Sequence, residues 1–216
     1  MSKSVYSLVL SDELITLLDK VAYKKGLSRS NMINTLIAEY LSFETPEKRA
    51  ADIVSNMQAI VNKSQSLKFL AQQSNNLASI CSAISFKYNP TVKYTVELYK
   101  NNKNCLGELK VSLRSTSVSL LNAVNKFYWL FISLEKKHIG QVDCSVENEK
   151  FFRKLNIFDA DKLNTKTVGE IITSYVKNFN ILLNMFFANL ENVEKAYPKI
   201  EEVYLKNLKN QPYKIF

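Results

Sequence analysis

Residues Lys3 to Ser42, KSVYSLVLSDELITLLDKVAYKKGLSRSNMINTLIAEYLS, decide the fold of the amino-terminal part of the chain. Val5 to Leu10 alternate, with Tyr6, Leu8 and Leu10 on one face and Val5, Ser7 and Val9 on the other, which is the two-residue period of a strand. Ser11 then offers an N-cap oxygen, and Asp12 and Glu13 place negative charge at the positive end of a helix dipole. Leu14, Leu17, Leu18, Val21 and Ala22 follow at helical spacing, and Lys24, Lys25 and Gly26 supply a basic last turn and a glycine stop. Ser28 caps a second helix, whose apolar stripe is Met32, Ile33, Leu36, Ile37, Tyr40 and Leu41. With only Leu27 and the cap between them, the two helices turn sharply relative to each other.

A segment of about forty residues is near the size at which oligomerisation is needed to bury apolar faces. A lone strand also leaves its ladder of backbone groups unpaired, and the symmetric remedy is the same strand of a second chain. The sequence therefore calls for a homodimer. On these features, above all strand-Ser-Asp-Glu, amphipathic helix, Gly-Leu-Ser-Arg-Ser, amphipathic helix, Lys3 to Ser42 resembles the ribbon-helix-helix DNA-binding domains of the copy-number-repressor, Arc and methionine-repressor type. The resemblance covers about a fifth of the chain. It implies two chains pairing their strands into a ribbon that enters the major groove, while the start of the second helix holds phosphate; a two-stranded ribbon fits that groove, and a helix N-terminus suits a phosphate.

Carried over residue by residue, the base-contacting face is Lys3, Val5, Ser7 and Val9, and the phosphate clamp is Ser28, Arg29 and Ser30. The chain departs from the family pattern of long polar side chains on that face. Val5 and Val9 offer only apolar contact to thymine methyls, which leaves Ser7 and Lys3 for hydrogen bonds. The alternative is that the valines pack elsewhere and the segment serves only to dimerise.

Beyond Phe43, Pro46 sits at the first turn of a third helix with Ile53, Val54, Met57, Ile60 and Val61 as its stripe. Asn62 to Ser85, rich in Ser, Gln and Asn, reads as a linker with some helix. Lys93 to Lys100 and Glu108 to Arg114 alternate about an Asn-rich loop and read as a β-hairpin, with Tyr94, Val96, Leu98, Leu109, Val111 and Leu113 facing inward. Ser115 to Ser117 caps a helix through Leu134 whose Phe127 to Phe131 run is apolar all round, so it is buried on more than one side or forms an interface. Thr167 and Glu170 form a capping box that opens the longest helix, which runs past Val193 until Pro198 ends it. At 1.5 Å per residue that helix would reach on the order of 40 Å, as a core helix or as a dimer or partner interface.

The chain has 216 residues, 46% hydrophobic and 23% charged, which suits one large domain or two small ones. Only 4 Gly and 4 Pro occur, and this scarcity of turn residues disfavours a many-stranded barrel or sandwich. The net charge of +9 points to an anionic partner. Residues 1–43 hold five basic and four acidic groups (+1), whereas 91–140 hold eight and three (+5). Lys93, Lys110 and Arg114 lie on the outward hairpin face with Lys100 and Lys103 at its loop, so this is either a second nucleic-acid or anionic-partner surface or a solvated face that protects a sheet edge.

Catalytic patterns are absent: there is one histidine, His138, and no phosphate loop, nucleophile elbow or zinc-binding Cys/His pairing. The sequence therefore predicts a non-enzymatic protein with no cofactor and no metal. Cys81, Cys105 and Cys144, odd in number and far apart, read as reduced thiols of a cytoplasmic, nucleoid- or plasmid-associated protein. The most apolar stretches, Phe127 to Leu134 and Ile171 to Leu190, are too short or too polar to span a membrane.

The expected fold is mainly α within the α+β class: a ribbon-helix-helix unit over 1–44, a helix plus linker over 45–90, and over 91–216 a mostly helical domain with one β-hairpin that serves oligomerisation, a protein partner or an effector. The expected function is a homodimeric or higher-order sequence-specific binder of double-stranded DNA, a transcriptional repressor. The alternatives are a plasmid or chromosome partition adaptor linking centromere repeats to a filament or motor, and an antitoxin.

Overall fold

In the computed structural model, which describes residues 4–71, 74–100, 105–210 and 215–216, the first regular element is a helix. Two units form, Met1–Arg49 and Ala50–Phe216. In the first, α1 (Asp12–Lys24) is capped by Ser11, whose Oγ accepts the Leu14 N–H at 3.4 Å. It stops where the Gly26 N–H bonds Tyr23 O and the Leu27 N–H bonds Ala22 O, a Schellman closure that needs the φ of +63° at Gly26. Helix α2 (Arg29–Tyr40) follows with Ser28 as cap. Both helices and both caps stand where the sequence places them.

The expected strand over Val5 to Leu10 is not formed. Residues 4–11 carry no regular structure, and Val5 and Val9 are 99% and 101% exposed. The reason is physical: a strand needs a ladder partner, and a single copy of this chain offers none to this segment.

In the second unit α3 (Pro46–Val61) begins just ahead of the boundary, in its first turn. It is followed by β1 (Lys68–Phe69), β2 (Leu77–Ala83), β3 (Thr91–Leu98), β4 (Gly107–Leu113), α4 (Val118–His138), β5 (Cys144–Glu147), β6 (Lys150–Lys154), α5 (Thr165–Ala188) and α6 (Val193–Lys209), with a short 3-10 turn at Leu190–Asn192. The strands form one antiparallel sheet of six in the order β1-β2-β3-β4-β6-β5. The chain is thus α+β, with the hairpin β3–β4 at the centre of a wider sheet.

The register aligns Ile80, Tyr94, Val111, Phe151 and Val146 across one face, against which α4 and α5 pack. Phe179 of α5 is the hub: its ring lies 4.6 Å from Phe131, 5.1 Å from Phe151, 5.2 Å from Phe127 and 6.0 Å from Tyr94. Large aromatics in such edge-to-face contacts (Phe127, Tyr94) and tilted contacts (Phe131, Phe151) account for much of the core's apolar burial. Gly107 has to be glycine, because a Cβ there would lie 2.1 Å from the carbonyl oxygen of Glu97. Among the described residues one ion pair is fully enclosed. Arg153 Nε donates to Glu135 Oε2 at 2.8 Å, Tyr175 OH donates to Glu135 Oε1 at 2.9 Å, and Arg153 Nη2 donates to Ile215 O at 2.9 Å, tying β6, α4, α5 and the carboxy-terminal residues together.

Four expectations about this region are corrected. The stretch Asn62 to Ser85, expected as a linker with some helix, supplies β1 and β2 to the core; in β2 Ala78, Ser79, Ile80 and Ser82 are all buried, which erases the alternation that marks a half-exposed strand. The single hairpin is one part of a six-stranded sheet, because β6 hides its own period by burying Arg153 between Phe151 and Leu155. The longest helix is capped by Asn164, whose Oδ1 accepts the Thr167 N–H at 2.7 Å, so Thr167 is inside the helix. That helix ends at Ala188, and Pro198 sits inside α6.

Few glycines are needed at these turns, because Tyr88, Asn89, Asn148, Glu149 and Asp159 take positive φ themselves. Asn148 and Glu149, at φ +49° and +61°, form the two-residue turn of the β5–β6 hairpin, in which Glu147 pairs with Lys150.

Candidate nucleic-acid interface

The first unit buries little of its apolar surface. Leu18, Ala22 and Met32 are enclosed, with Ile15 and Ile33 against them. Leu14, Leu17 and Val21 on α1, and Leu36, Ile37, Tyr40 and Leu41 on α2, remain exposed, as do Tyr6 and Leu8 ahead of α1. These are the stripe positions of the sequence. In the second unit apolar stripes of the same kind close over each other, as the core of α4 and α5 does. Exposed apolar side chains in this number on two adjacent helices are what an interaction surface would require.

The phosphate-clamp residues stand together at the start of α2. Ser28 uses its Oγ to cap the helix, accepting the Asn31 N–H at 3.3 Å, and Ser30 is exposed. No acidic residue occupies the first turn, so the positive end of the helix dipole is uncompensated from within the helix. Arg29 reaches back to α1: Nε donates to Asp19 Oδ1 at 2.8 Å and Nη2 to Asp19 Oδ2 at 2.6 Å. The hydrogen bond from Arg29 holds the Asp19 carboxyl below its ordinary range. No sequence signal marks Asp19, since nothing but its place on α1 connects it to a residue ten positions on. The bidentate pair orients the guanidinium and leaves Nη1 without a hydrogen bond among the described residues. Of the base-contacting set, Val5, Ser7 and Val9 are exposed on the irregular segment ahead of α1, and Lys3 lies outside the described residues.

The second basic surface is only partly assembled. Lys93 and Lys110 share the sheet face opposite the core: Lys93 pairs with Ser112, and Lys110 pairs with Thr95. Lys110 Nζ lies 5.8 Å from the ring centre of Phe152 on β6. Lys100 and Arg114 are exposed just past opposite ends of the hairpin, and Lys103 lies outside the described residues. The sequence reading missed that Lys154 of β6 joins this face. Its Nζ donates to Glu108 Oε2 at 2.5 Å and to Tyr99 OH at 3.0 Å, and the Glu108 contact raises its pKa. Lys154 is thereby neutralised locally, while the register sets Lys68 of β1 and Lys150 of β6 on the same face as Lys93 and Lys110.

No family model matches the chain, and neither a curated protein nor a solved structure matches it. Among the described residues no group of three or more His, Cys, Asp or Glu could hold a metal ion, and no helix is long and apolar enough to cross a membrane.

Proposed function

We propose that this chain is a homodimeric, sequence-specific DNA-binding protein of the ribbon-helix-helix kind, acting as a transcriptional repressor. The observation that carries the reading is the unpartnered apolar surface of α1 and α2, together with an alternating segment that lacks a ladder partner. Both deficits are met at once by a second copy: an isologous interface buries the same stripe from each chain and pairs each segment with its twin. The paired segments then present Val5, Ser7 and Val9, with Lys3, to base edges in the major groove. Ser28, Arg29 and Ser30 meet the flanking phosphates at the α2 N-terminus, with Arg29 held in place by Asp19 and offering Nη1. The second unit, which has its own core, adds oligomerisation, a protein partner or an effector, and short half-site grips gain affinity from such added valency.

The test is selection of bound duplexes from random DNA with the full chain, followed by titration of the best duplex over a range of salt. Each phosphate contact contributes a slope of about 0.9 in log K against log salt, so Arg29→Ala, present twice in a dimer, lowers the slope by about 2. Ser7→Ala weakens the selected duplex more than a scrambled one. Selection that recovers no preferred sequence, or variants that leave affinity and slope unchanged, overturns the assignment.

A further inference from the structure

Side chains alternate along a strand, so those of the second unit's sheet that miss the core share its other face. The register lines up Lys68 of β1, Cys81 of β2, Lys93 of β3 and Ser112 of β4 in one row, and Lys150 of β6, two residues before Phe152, faces the same way. The next row holds Ser79, Thr95, Lys110, Phe152 and Ser145. Apart from Ser79, all of these residues are half-buried or exposed. The carboxylates lie to the side: Glu97 and Glu108 share a further row with Lys154, which pairs with Glu108, and Glu147 stands opposite Lys150 on the edge strand β5. Lys68, Lys93, Lys110 and Lys150 form no ion pair among the described residues.

Neighbouring strands lie about 4.8 Å apart, so Lys68 and Lys93, and again Lys93 and Lys150, stand about 10 Å from each other across the sheet, with Lys110 offset by one strand and two residues. Lysines that keep a sheet from pairing with another belong on its edges, whereas Lys93 and Lys110 occupy β3 and β4 at the centre, where no edge needs guarding. Like charges at this spacing repel, and a polyanion laid across them removes that repulsion. Phe152 and, in the row of carboxylates, Leu77 are the large apolar side chains of this face among the described strand residues, so it lacks the apolar centre of a protein interface. Six strands make the sheet about 24 Å wide, too broad for a major groove of about 12 Å. An extended single strand can lie along such a face and stack a base on Phe152, whose ring centre is 5.8 Å from Lys110 Nζ.

From this arrangement we infer that the open sheet face binds single-stranded nucleic acid, with phosphates running along Lys68, Lys93, Lys110 and Lys150 and a base stacked on Phe152. Cations and a ring recognise a backbone and a π-face that every nucleotide has, so the binding is tolerant of sequence. The site belongs to the second unit alone and stands whether or not the first unit reads duplex DNA.

The test uses the full chain and a fluorescent oligothymidylate of about 12 nucleotides, which forms no duplex, with binding followed by anisotropy over a series of salt concentrations. Four lysine contacts at about 0.7 each predict that log K falls with log salt at a slope of about 2.8. Lys93→Gln with Lys110→Gln lowers the slope by about 1.4, which is about 25-fold in affinity near 0.1 M salt for proteins that bind equally at about 1 M. Phe152→Leu keeps the slope and weakens binding by about fivefold or more, the loss of one stacked base. The lysine positions are partly exposed, so the double variant covers the case in which Phe152→Leu fails to fold. Lys126→Gln, exposed on α4, serves as the control and changes neither quantity. No binding of the oligothymidylate, unchanged affinity and slope in the lysine double variant, or displacement by polyglutamate as effective as by unlabelled oligothymidylate overturns the inference. A random-sequence duplex that loses as much affinity in the double variant as the oligothymidylate does overturns the single-strand assignment.

Discussion

Replacing Leu17 by glutamine tests the dimer at a position that the isolated first unit scarcely uses. Leu17 is 60% exposed on α1, so one copy loses little packing, and glutamine is as good a helix former. Burying a whole leucine side chain contributes about 1.5–3 kcal/mol, so covering the part that stands exposed contributes about 1–2 kcal/mol per copy. An isologous interface contains the position twice, which makes the loss about 2–4 kcal/mol and raises the dimer dissociation constant by about 30-fold to 1,000-fold. Sedimentation equilibrium of the full chain over a concentration series measures this. Lys20→Gln, on the same helix and exposed, serves as the control with an unchanged constant. A Leu17→Gln protein that dimerises within about twofold of the parent would refute the claim that this stripe is the interface, and a parent chain that stays monomeric throughout would do so more simply.

The enclosed ion pair gives a second prediction: Arg153→Met leaves the Glu135 carboxylate buried without its cation and costs about 3–5 kcal/mol in denaturant unfolding of the second unit, whereas Arg153→Met with Glu135→Gln recovers part of that loss. A single variant as stable as the parent would contradict it. A third concerns acid. Hydrogen bonds from Lys137, and then His138, hold the Glu201 carboxyl below its ordinary range, so the contact stabilises above the unfolded value of about 4.3 and its contribution is lost as pH falls through the lower folded value. The denaturation midpoint should therefore drop below about pH 4, and Glu201→Gln should show a smaller drop over the same window; identical acid profiles would exclude the contact as a contributor.

Helices α1 and α2 were legible to within a residue or so, and α4 at its start though it runs on from Leu134 to His138, because each has a serine cap followed by an apolar stripe, two local signals that agree. The β3–β4 hairpin was legible because Tyr94, Val96, Leu109 and Val111 are buried between half-exposed polar residues. What escaped were elements whose signal is tertiary. Strand β2 is buried on successive residues, β6 buries a charge that Glu135 and the carbonyls of Lys154 and Ile215 make tolerable, and the β5–β6 turn uses Asn148 and Glu149 where glycine is the usual cue. At the candidate interface the residue types and the α2 cap were readable. The Asp19 partner of Arg29 was not, since it depends on how α1 and α2 cross, and the segment Val5 to Leu10 stays irregular in a single copy, where it has no ladder partner among the described residues.

Amide hydrogen exchange of the full chain across its monomer–dimer range tests that last point most directly. If two copies pair this segment into an antiparallel ribbon, alternate amides between Val5 and Leu10 exchange slowly, and their protection appears at the concentration at which the dimer forms. If every amide from Val5 to Leu10 exchanges at the rate of an unstructured peptide while the chain is dimeric, there is no ribbon, and the proposed DNA-reading face does not exist.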